Sequence, residues 1–180
     1  MTARPQPDVA IAGYATCLQT DQYARCTVGQ FNWVPSVMNL EAADEPMVVI
    51  DERHTAAHEI AHLLGAVIPS EVFRDENGMA RPWNDIYSVG EALEDVESRD
   101  VSFIKTERVL EVARDAYGCS DAEGVPLEDV PLGRGSHWEA RVLGPEFMSY
   151  GSGAGEAYVS DLTLAFLEDT NQYVANYSNA

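Results

Sequence analysis

His58 and His62 stand four residues apart, and Glu59 directly follows the first of them in the string His-Glu-Ile-Ala-His. On an α-helix residues i and i+4 lie on one face, so both imidazoles can reach a single zinc ion. Glu59 then lies beside the open position of the metal, where its carboxylate can take a proton from the bound water. Zinc lowers the pKa of that water toward neutrality, so a carboxylate suffices as the base. This spacing therefore predicts metal-assisted hydrolysis with Glu59 as general base.

Gly65 lies three residues after His62 and extends the string to His-Glu-x-x-His-x-x-Gly. In this longer motif the glycine lets the chain turn sharply, so that a third ligand can come from elsewhere. A third histidine ordinarily follows three residues after the glycine, but Ile68 occupies that position. The third ligand must therefore be sought in another part of the sequence.

The chain holds 4 histidines, which keeps the search for that ligand short. His54 lies one helical turn before His58, and a straight helix does not easily bring three successive turns to one ion. We therefore expect His54 to support the ligands or to lie at the surface, and His137 to be the third ligand. A thermolysin-like site would instead use a downstream glutamate, Glu91 or Glu94, and would leave His137 without a metal.

The motif is predicted to lie on a helix over residues 48–64, because apolar residues recur there at helical spacing. Gly65 suits the position just after the last turn of that helix. Upstream, residues 8–15 read as a buried strand and residues 27–34 as a second strand, which Pro35 ends. The zinc helix is thus expected to follow a pair of strands.

Cys17 and Cys26 flank the polar loop 18–25 between these two predicted strands. A disulfide that closes the loop is plausible, and Cys119 is then the odd cysteine. Free thiols remain the alternative, so the cysteines leave the redox compartment open.

Residues 66–136 form a long insertion with 16 acidic and 7 basic residues. Within it an apolar repeat predicts a helix over 101–117, and residues 81–85 read as a loop. We expect the insertion to lie over the domain as a cover rather than to form a separate core. Its charge either steers basic substrates or simply solvates the cover. Beyond it, a helix is predicted over 160–170, with Ser160 as its N-cap.

The 180 residues carry a formal net charge of −19, and 46% of them are hydrophobic. This length and apolar content favour one folded domain. The acidity excludes nucleic acid as a partner, because binding it requires a positive surface, and disfavours contact with an anionic membrane. No apolar run approaches the ~18 residues of a membrane span, so direct membrane insertion is not expected. Residues 1–7 lack the apolar stretch of a signal peptide, which predicts either an internal protein or a trimmed N-terminus.

Together these features resemble the leishmanolysin family of metzincin zinc endopeptidases. That family is set apart by an insertion between the glycine and the third zinc-binding histidine. The resemblance is carried by residues 58–65, 117–119, 127–129, 135–141, 146–148 and 160–170. Residues 8–35 are also similar to the strand, cysteine loop and strand that precede the zinc helix in the family. The resemblance therefore covers nearly the whole chain.

The resemblance implies His58, His62 and His137 as zinc ligands, Glu59 as general base and Met148 as the Met-turn residue beneath the zinc. It further implies a secreted or surface-attached enzyme that cuts peptide bonds in protein or peptide substrates. The sequence makes no prediction about the oligomeric state.

The fold implied by the resemblance is an α+β, metzincin-like zincin domain. In it a small mixed sheet packs on the zinc helix, and the C-terminal part is mostly helical or irregular. One minimal or trimmed catalytic domain is expected over 1–180, divided into 1–65, 66–136 and 137–180. In metzincins the substrate lies extended along an edge strand, and residues 27–34 are the expected edge here.

Tyr150 stands two residues after Met148, and Met-x-Tyr resembles the arrangement in astacins and serralysins, where the tyrosine approaches the zinc and assists the oxyanion. We hypothesise that role for Tyr150; a core residue that carries a hydroxyl is the alternative. The chain could also be an inactive, zinc-stabilised module that binds proteins without cutting them. The intact Glu59 argues against this, because a structural zinc site needs no base.

Overall fold

Helices and two small sheets make up the fold in the computed structural model, which describes residues 2–3, 13–34, 45–67, 72–91, 100–129, 135–150 and 157–179. The N-terminal elements are β1 (Thr2–Ala3), β2 (Gly13–Thr20), β3 (Cys26–Trp33) and α1 (Pro46–Leu64). The later elements are α2 (Trp83–Ile86), β4 (Tyr87–Glu91), β5 (Asp100–Ile104), α3 (Glu107–Tyr117), β6 (Val125–Pro126), α4 (Ala140–Leu143) and α5 (Asp161–Asp169). The described residues thus form the mixed α+β structure that the sequence predicts.

The first sheet has the strand order β1-β3-β2, with β1 parallel and β2 antiparallel to β3. The prediction that residues 27–34 form an edge strand is wrong for Asn32 and Trp33, which also pair with β1, whereas the described residues place only β2 beside the preceding part of β3. Among the described residues β2 is an edge of this sheet. The strand predicted over 8–15 overlaps β2 only at residues 13–15, and residues 8–12 lie outside the described residues.

A tight hairpin joins β2 to β3, and the disulfide between Cys17 and Cys26 crosses it. The sequence left a disulfide and free thiols as alternatives, and the structure contains the disulfide, with Cys119 as an exposed free thiol. The connecting loop is shorter than predicted, because β2 continues to Thr20. Asp21 stabilises the turn, since its carboxylate accepts hydrogen bonds from the backbone N–H groups of residues 23 and 25.

Helix α1 begins two residues before the predicted start and ends at the predicted residue, Leu64. Pro46 occupies the first turn, where its missing N–H costs no hydrogen bond. Gly65 ends the helix in the left-handed conformation, with φ 104°. The backbone N–H of Gly65 donates to the His62 carbonyl, and that of Ala66 donates to the Ala61 carbonyl. The predicted role of the glycine as the helix terminator is confirmed.

The second sheet lies within the insertion and has the order β4-β5-β6, with both pairings antiparallel. The helix predicted over 101–117 is wrong in its first part, because Asp100–Ile104 pairs as a strand with Tyr87–Glu91. Only Glu107–Tyr117 is helical. The loop predicted over 81–85 also contains the first residues of the single-turn helix α2.

The main apolar core joins the insertion to the C-terminal segment. From the insertion it takes Ala66, Val67, Val72, Phe73, Ile86, Tyr87, Ile104, Val109, Ala113, Val125 and Leu127. From the C-terminal segment it takes Trp138, Leu143, Met148, Leu162, Ala165 and Phe166. The expectation that the insertion is a cover is therefore wrong, because its side chains form much of the core on which the C-terminal elements pack. The C-terminal helix matches its prediction, since α5 spans Asp161–Asp169 and the Ser160 hydroxyl accepts a hydrogen bond from the Thr163 N–H.

Candidate metal centre

Three histidine side chains converge beside the C-terminal half of α1. The Nε2 atom of His137 lies 3.1 Å from that of His58 and 3.3 Å from that of His62. A tetrahedral zinc ion with Zn–N bonds of 2.0–2.1 Å would hold its nitrogen ligands roughly 3.3–3.4 Å apart. The three nitrogens therefore fit one zinc ion, and the structure brings together the three residues that the sequence singles out as ligands.

Backbone carbonyls orient the two histidines of α1. The Nδ1 atom of His58 lies 2.8 Å from the Phe147 carbonyl oxygen, and that of His62 lies 3.0 Å from the Ala66 carbonyl oxygen. A carbonyl only accepts, so each Nδ1 carries the proton and each Nε2 presents its lone pair to the centre of the cluster. Hydrogen bonds of this kind hold histidine ligands in metal sites.

Burial keeps these rings neutral. It lowers the pKa of His58, although the hydrogen bond to the Phe147 carbonyl acts in the opposite direction. It also lowers the pKa of His62 to about 3, and the charged forms of His58 and His137 lower it further. Neutral imidazoles offer the lone pairs that a metal requires, so the cluster is prepared for metal binding at neutral pH.

Glu59 lies on the same helix with only 8% of its surface exposed. Burial raises the pKa of its carboxyl group to about 7, and a hydrogen bond from the Ala15 backbone N–H partly opposes this rise. Ala15 belongs to β2, so the edge strand of the first sheet contacts the carboxylate directly. A carboxylate with a pKa near neutrality can both accept and release a proton at physiological pH.

The segment after His137 brings Met148 and Tyr150 to the same region. Met148 is fully buried, and its carbonyl oxygen accepts a 3.0 Å hydrogen bond from the backbone N–H of Trp138. The ring of Tyr150 lies against that of His137, with 5.1 Å between the ring centroids. Both residues therefore lie close to the third histidine in space as well as in sequence.

His54 does not join the cluster. Its Nδ1 atom accepts a 3.4 Å hydrogen bond from the backbone N–H of Ala157 instead. In the part of the chain that the structure describes, the group around His58 and His62 is completed by His137 and contains no carboxylate. Glu91 ends β4, whereas Glu94 and Ile68 lie outside the described residues.

A second group, which sequence reasoning missed, stabilises the segment that carries His137. The backbone N–H of Glu128 donates to the His137 carbonyl oxygen over 2.9 Å. The Arg141 guanidinium donates to both carboxylate oxygens of Glu139 and to the carboxylate of Asp129. The carboxylates of Glu128, Asp129 and Glu139 are buried close together. Residues 127–129 and 139–141 belong to the stretches that carry the family resemblance. Their place in those stretches was the one sign in the sequence that this group matters.

Known proteins are similar to this chain in sequence. The family model described as leishmanolysin matches residues 1–180. A leishmanolysin homolog of Crithidia fasciculata is 34% identical over 94% of this chain and 23% of its own length. A leishmanolysin-like peptidase of Caenorhabditis elegans is 31% identical over 92% of this chain and 28% of its own length. A leishmanolysin of Leishmania donovani is 29% identical over 94% of this chain and 26% of its own length. The chain thus spans less than a third of the length of these relatives.

Proposed function

The chain belongs to the leishmanolysin family of metallopeptidases, and on that basis we propose that it is a zinc-dependent endopeptidase with Glu59 as general base. The observation that carries this proposal is the cluster of three imidazoles, in which the Nε2 atom of His137 lies 3.1 Å from that of His58 and 3.3 Å from that of His62. A buried carboxylate on the same helix completes it. Hydrolysis needs both a metal site and a base, whereas a structural site needs only the former.

In the proposed reaction His58, His62 and His137 hold the zinc ion. When bound, zinc supplies Lewis-acid polarisation of the scissile carbonyl and makes the attacking water more acidic. Glu59 accepts a proton from that water and delivers it to the nitrogen of the departing amine. In the metal-free site burial raises the pKa of Glu59 to about 7. A nearby cation lowers this pKa, so the carboxylate is ionised when the site is loaded.

Two further residues have proposed roles at this site. Tyr150, whose ring lies against that of His137, donates its hydroxyl hydrogen to the developing oxyanion. Met148 forms the buried Met-turn beneath the histidines. The carbonyl oxygens of Phe147 and Ala66 keep the rings of His58 and His62 in their orientation.

The proposed substrates are proteins or peptides, and the proposed location is the cell surface or the extracellular space. Both follow from the family, and the disulfide between Cys17 and Cys26 supports an oxidising compartment. No helix among the described residues has the length and apolar character to cross a membrane.

Cleavage and metal content, measured together on three proteins, test the proposal. Wild type is expected to retain one zinc ion and to cut casein. Glu59→Gln should keep the zinc and lose activity by about 10²–10⁴-fold, whereas His137→Ala should lose the zinc. Casein cleavage by Glu59→Gln at the wild-type rate would contradict the proposal. A wild type that binds zinc and leaves casein intact would instead indicate a binding module.

A further inference from the structure

The Glu146 carboxylate is fully buried, with 0% of the residue exposed, at the start of the turn that contains Met148. Its Oε1 atom accepts hydrogen bonds from the hydroxyls of Thr163 at 2.6 Å and Ser160 at 2.8 Å, and from the Ser160 backbone N–H at 3.2 Å. Its Oε2 atom accepts from the backbone N–H of Met148. One buried side chain therefore joins the turn to the beginning of α5.

Both hydroxyl hydrogens are available to Glu146 because the two hydroxyl oxygens already accept other bonds. The Thr163 Oγ1 atom accepts from the indole N–H of Trp138 over 2.9 Å. The Ser160 Oγ atom accepts from the Thr163 backbone N–H over 3.4 Å. Each hydroxyl consequently donates toward Oε1. Both oxygens of Glu146 must therefore act as hydrogen-bond acceptors.

One branch of this network reaches His58. Glu146 and Met148 flank Phe147, whose carbonyl oxygen accepts the Nδ1–H of His58 over 2.8 Å. The Phe147 N–H is also fixed, since it donates to the Tyr158 carbonyl oxygen over 2.8 Å. The direction of the Phe147 carbonyl therefore depends on how Glu146 holds the turn.

The other branch reaches His137. Trp138 follows that histidine directly, and its indole is held by Thr163, which in turn donates to Glu146. The backbone N–H of Trp138 also donates to the carbonyl oxygen of Met148. The segment that carries His137 is thus attached at two points to elements that Glu146 fixes.

We propose that Glu146 is a positioning residue for the metal centre, because its buried carboxylate fixes both the Phe147 carbonyl that orients His58 and the tryptophan that follows His137. The inference rests on the proposed function only in that the three histidines bind zinc. Gln in this position would place an NH2 group against either the Met148 N–H or the donors around Oε1, and donors that face each other repel. The turn and the loop would then shift, and two of the three histidines would lose their alignment.

Asp169 provides a matched control. It is also a buried carboxylate, with 7% exposed, and it also accepts backbone N–H groups, those of Arg108 and Val109 at the start of α3. None of these bonds involves an element that carries a histidine of the cluster. Asp169→Asn therefore makes the same chemical change at a distance from the metal centre.

The test measures the Kd for Zn²⁺ by chelator competition in wild type, Glu146→Gln and Asp169→Asn, with thermal unfolding followed in the metal-free and zinc-loaded forms. We expect Glu146→Gln to weaken zinc binding by about 10–100-fold, as loss of groups that orient ligands does. Asp169→Asn should leave the Kd within about twofold of wild type. The visible spectrum of the Co²⁺-loaded proteins reports ligand geometry, and it should change only in Glu146→Gln.

Equal zinc affinity in wild type and Glu146→Gln would overturn the inference. An equal loss of zinc affinity in Glu146→Gln and Asp169→Asn would also overturn it. If Glu146→Gln does not fold, Thr163→Val carries the test. It removes the hydroxyl with little change of shape and should weaken zinc binding in the same direction. A wild type that takes up no zinc would refute the proposed function itself, so failure of the function and failure of the inference give different results.

Discussion

Gly65 is the residue at which α1 ends, and its replacement by alanine tests whether this turn both stabilises the fold and orients His62. Its φ of 104° lies outside the left-handed region near +50 to +70° that other L-residues tolerate. An added Cβ would lie 3.7 Å from the side chain of Val72, which is an ordinary contact. The cost of Gly65→Ala is therefore a backbone cost of about 1–3 kcal/mol and not a steric clash.

The effect should extend to the metal because the next residue, Ala66, accepts the Nδ1–H of His62. Alanine at position 65 relieves its strain by lowering φ, and this rotation moves the Ala66 carbonyl away from the imidazole. We expect the Kd for Zn²⁺ to rise about 10-fold, at the lower end of the range for groups that orient ligands. Chelator competition gives the Kd, and urea unfolding of the metal-free protein gives the free energy of unfolding.

Gly118 serves as the control because it ends α3 in the same manner. Its φ of 61° is within the tolerated left-handed region, and an added Cβ would meet no atom within 4 Å. Gly118→Ala should therefore cost about 1–2 kcal/mol and leave zinc binding unchanged. If the two variants bind zinc equally well, the reasoning that the turn after α1 orients His62 is refuted. If the urea midpoint of Gly65→Ala equals that of wild type, the argument from backbone strain is refuted.

Three further predictions concern the disulfide, a buried carboxylate and the proposed oxyanion donor. Replacing both Cys17 and Cys26 by serine should lower the free energy of unfolding by about 2–3 kcal/mol in urea, because the disulfide closes a loop in the unfolded chain; an unchanged midpoint would contradict this. Burial raises the pKa of Asp169 above its ordinary 3.8, so the folded state holds that proton more tightly and stability should fall as the pH rises from about 3.8 through the raised value. Urea unfolding of the metal-free protein at several pH values measures how the free energy of unfolding depends on pH. Asp169→Asn should remove the part of that dependence that Asp169 contributes, and the same pH dependence in both proteins would argue against it. Tyr150→Phe should lower casein turnover with zinc content intact, and unchanged turnover would exclude the proposed role.

Local patterns account for what the sequence could predict. The helix that carries His58 and His62, its end at Gly65 and the N-cap of α5 each depend on residues within a few positions of one another. The hairpin disulfide is equally local, since its cysteines are 9 residues apart. His137 could be singled out because the chain has few histidines. In the structure His137 lies beside the two histidines of α1.

The errors concern contacts between distant parts of the chain. Residues 101–104 are a short, mostly apolar run that fits a helix or a strand, and only the pairing with Tyr87–Glu91 decides between them. The interior position of Asn32 and Trp33 depends in the same way on the parallel pairing of β1 with β3. Composition alone suggested a solvated cover for the insertion, but its scattered apolar residues meet in one core with the C-terminal segment.

The position of Trp138 has a consequence for the order of events during folding. His58 and His62 come together as soon as α1 forms, whereas His137 is 75 residues beyond His62 and follows the whole insertion. Trp138, the next residue, is fully buried, and its ring packs against Phe166 of α5. We therefore expect the third histidine to reach the other two only after the insertion and α5 have assembled around that ring. A chain still emerging from the ribosome, or one with an incomplete core, lacks a complete zinc site. On the proposed function, such a chain cannot cut itself or its neighbours before it has folded.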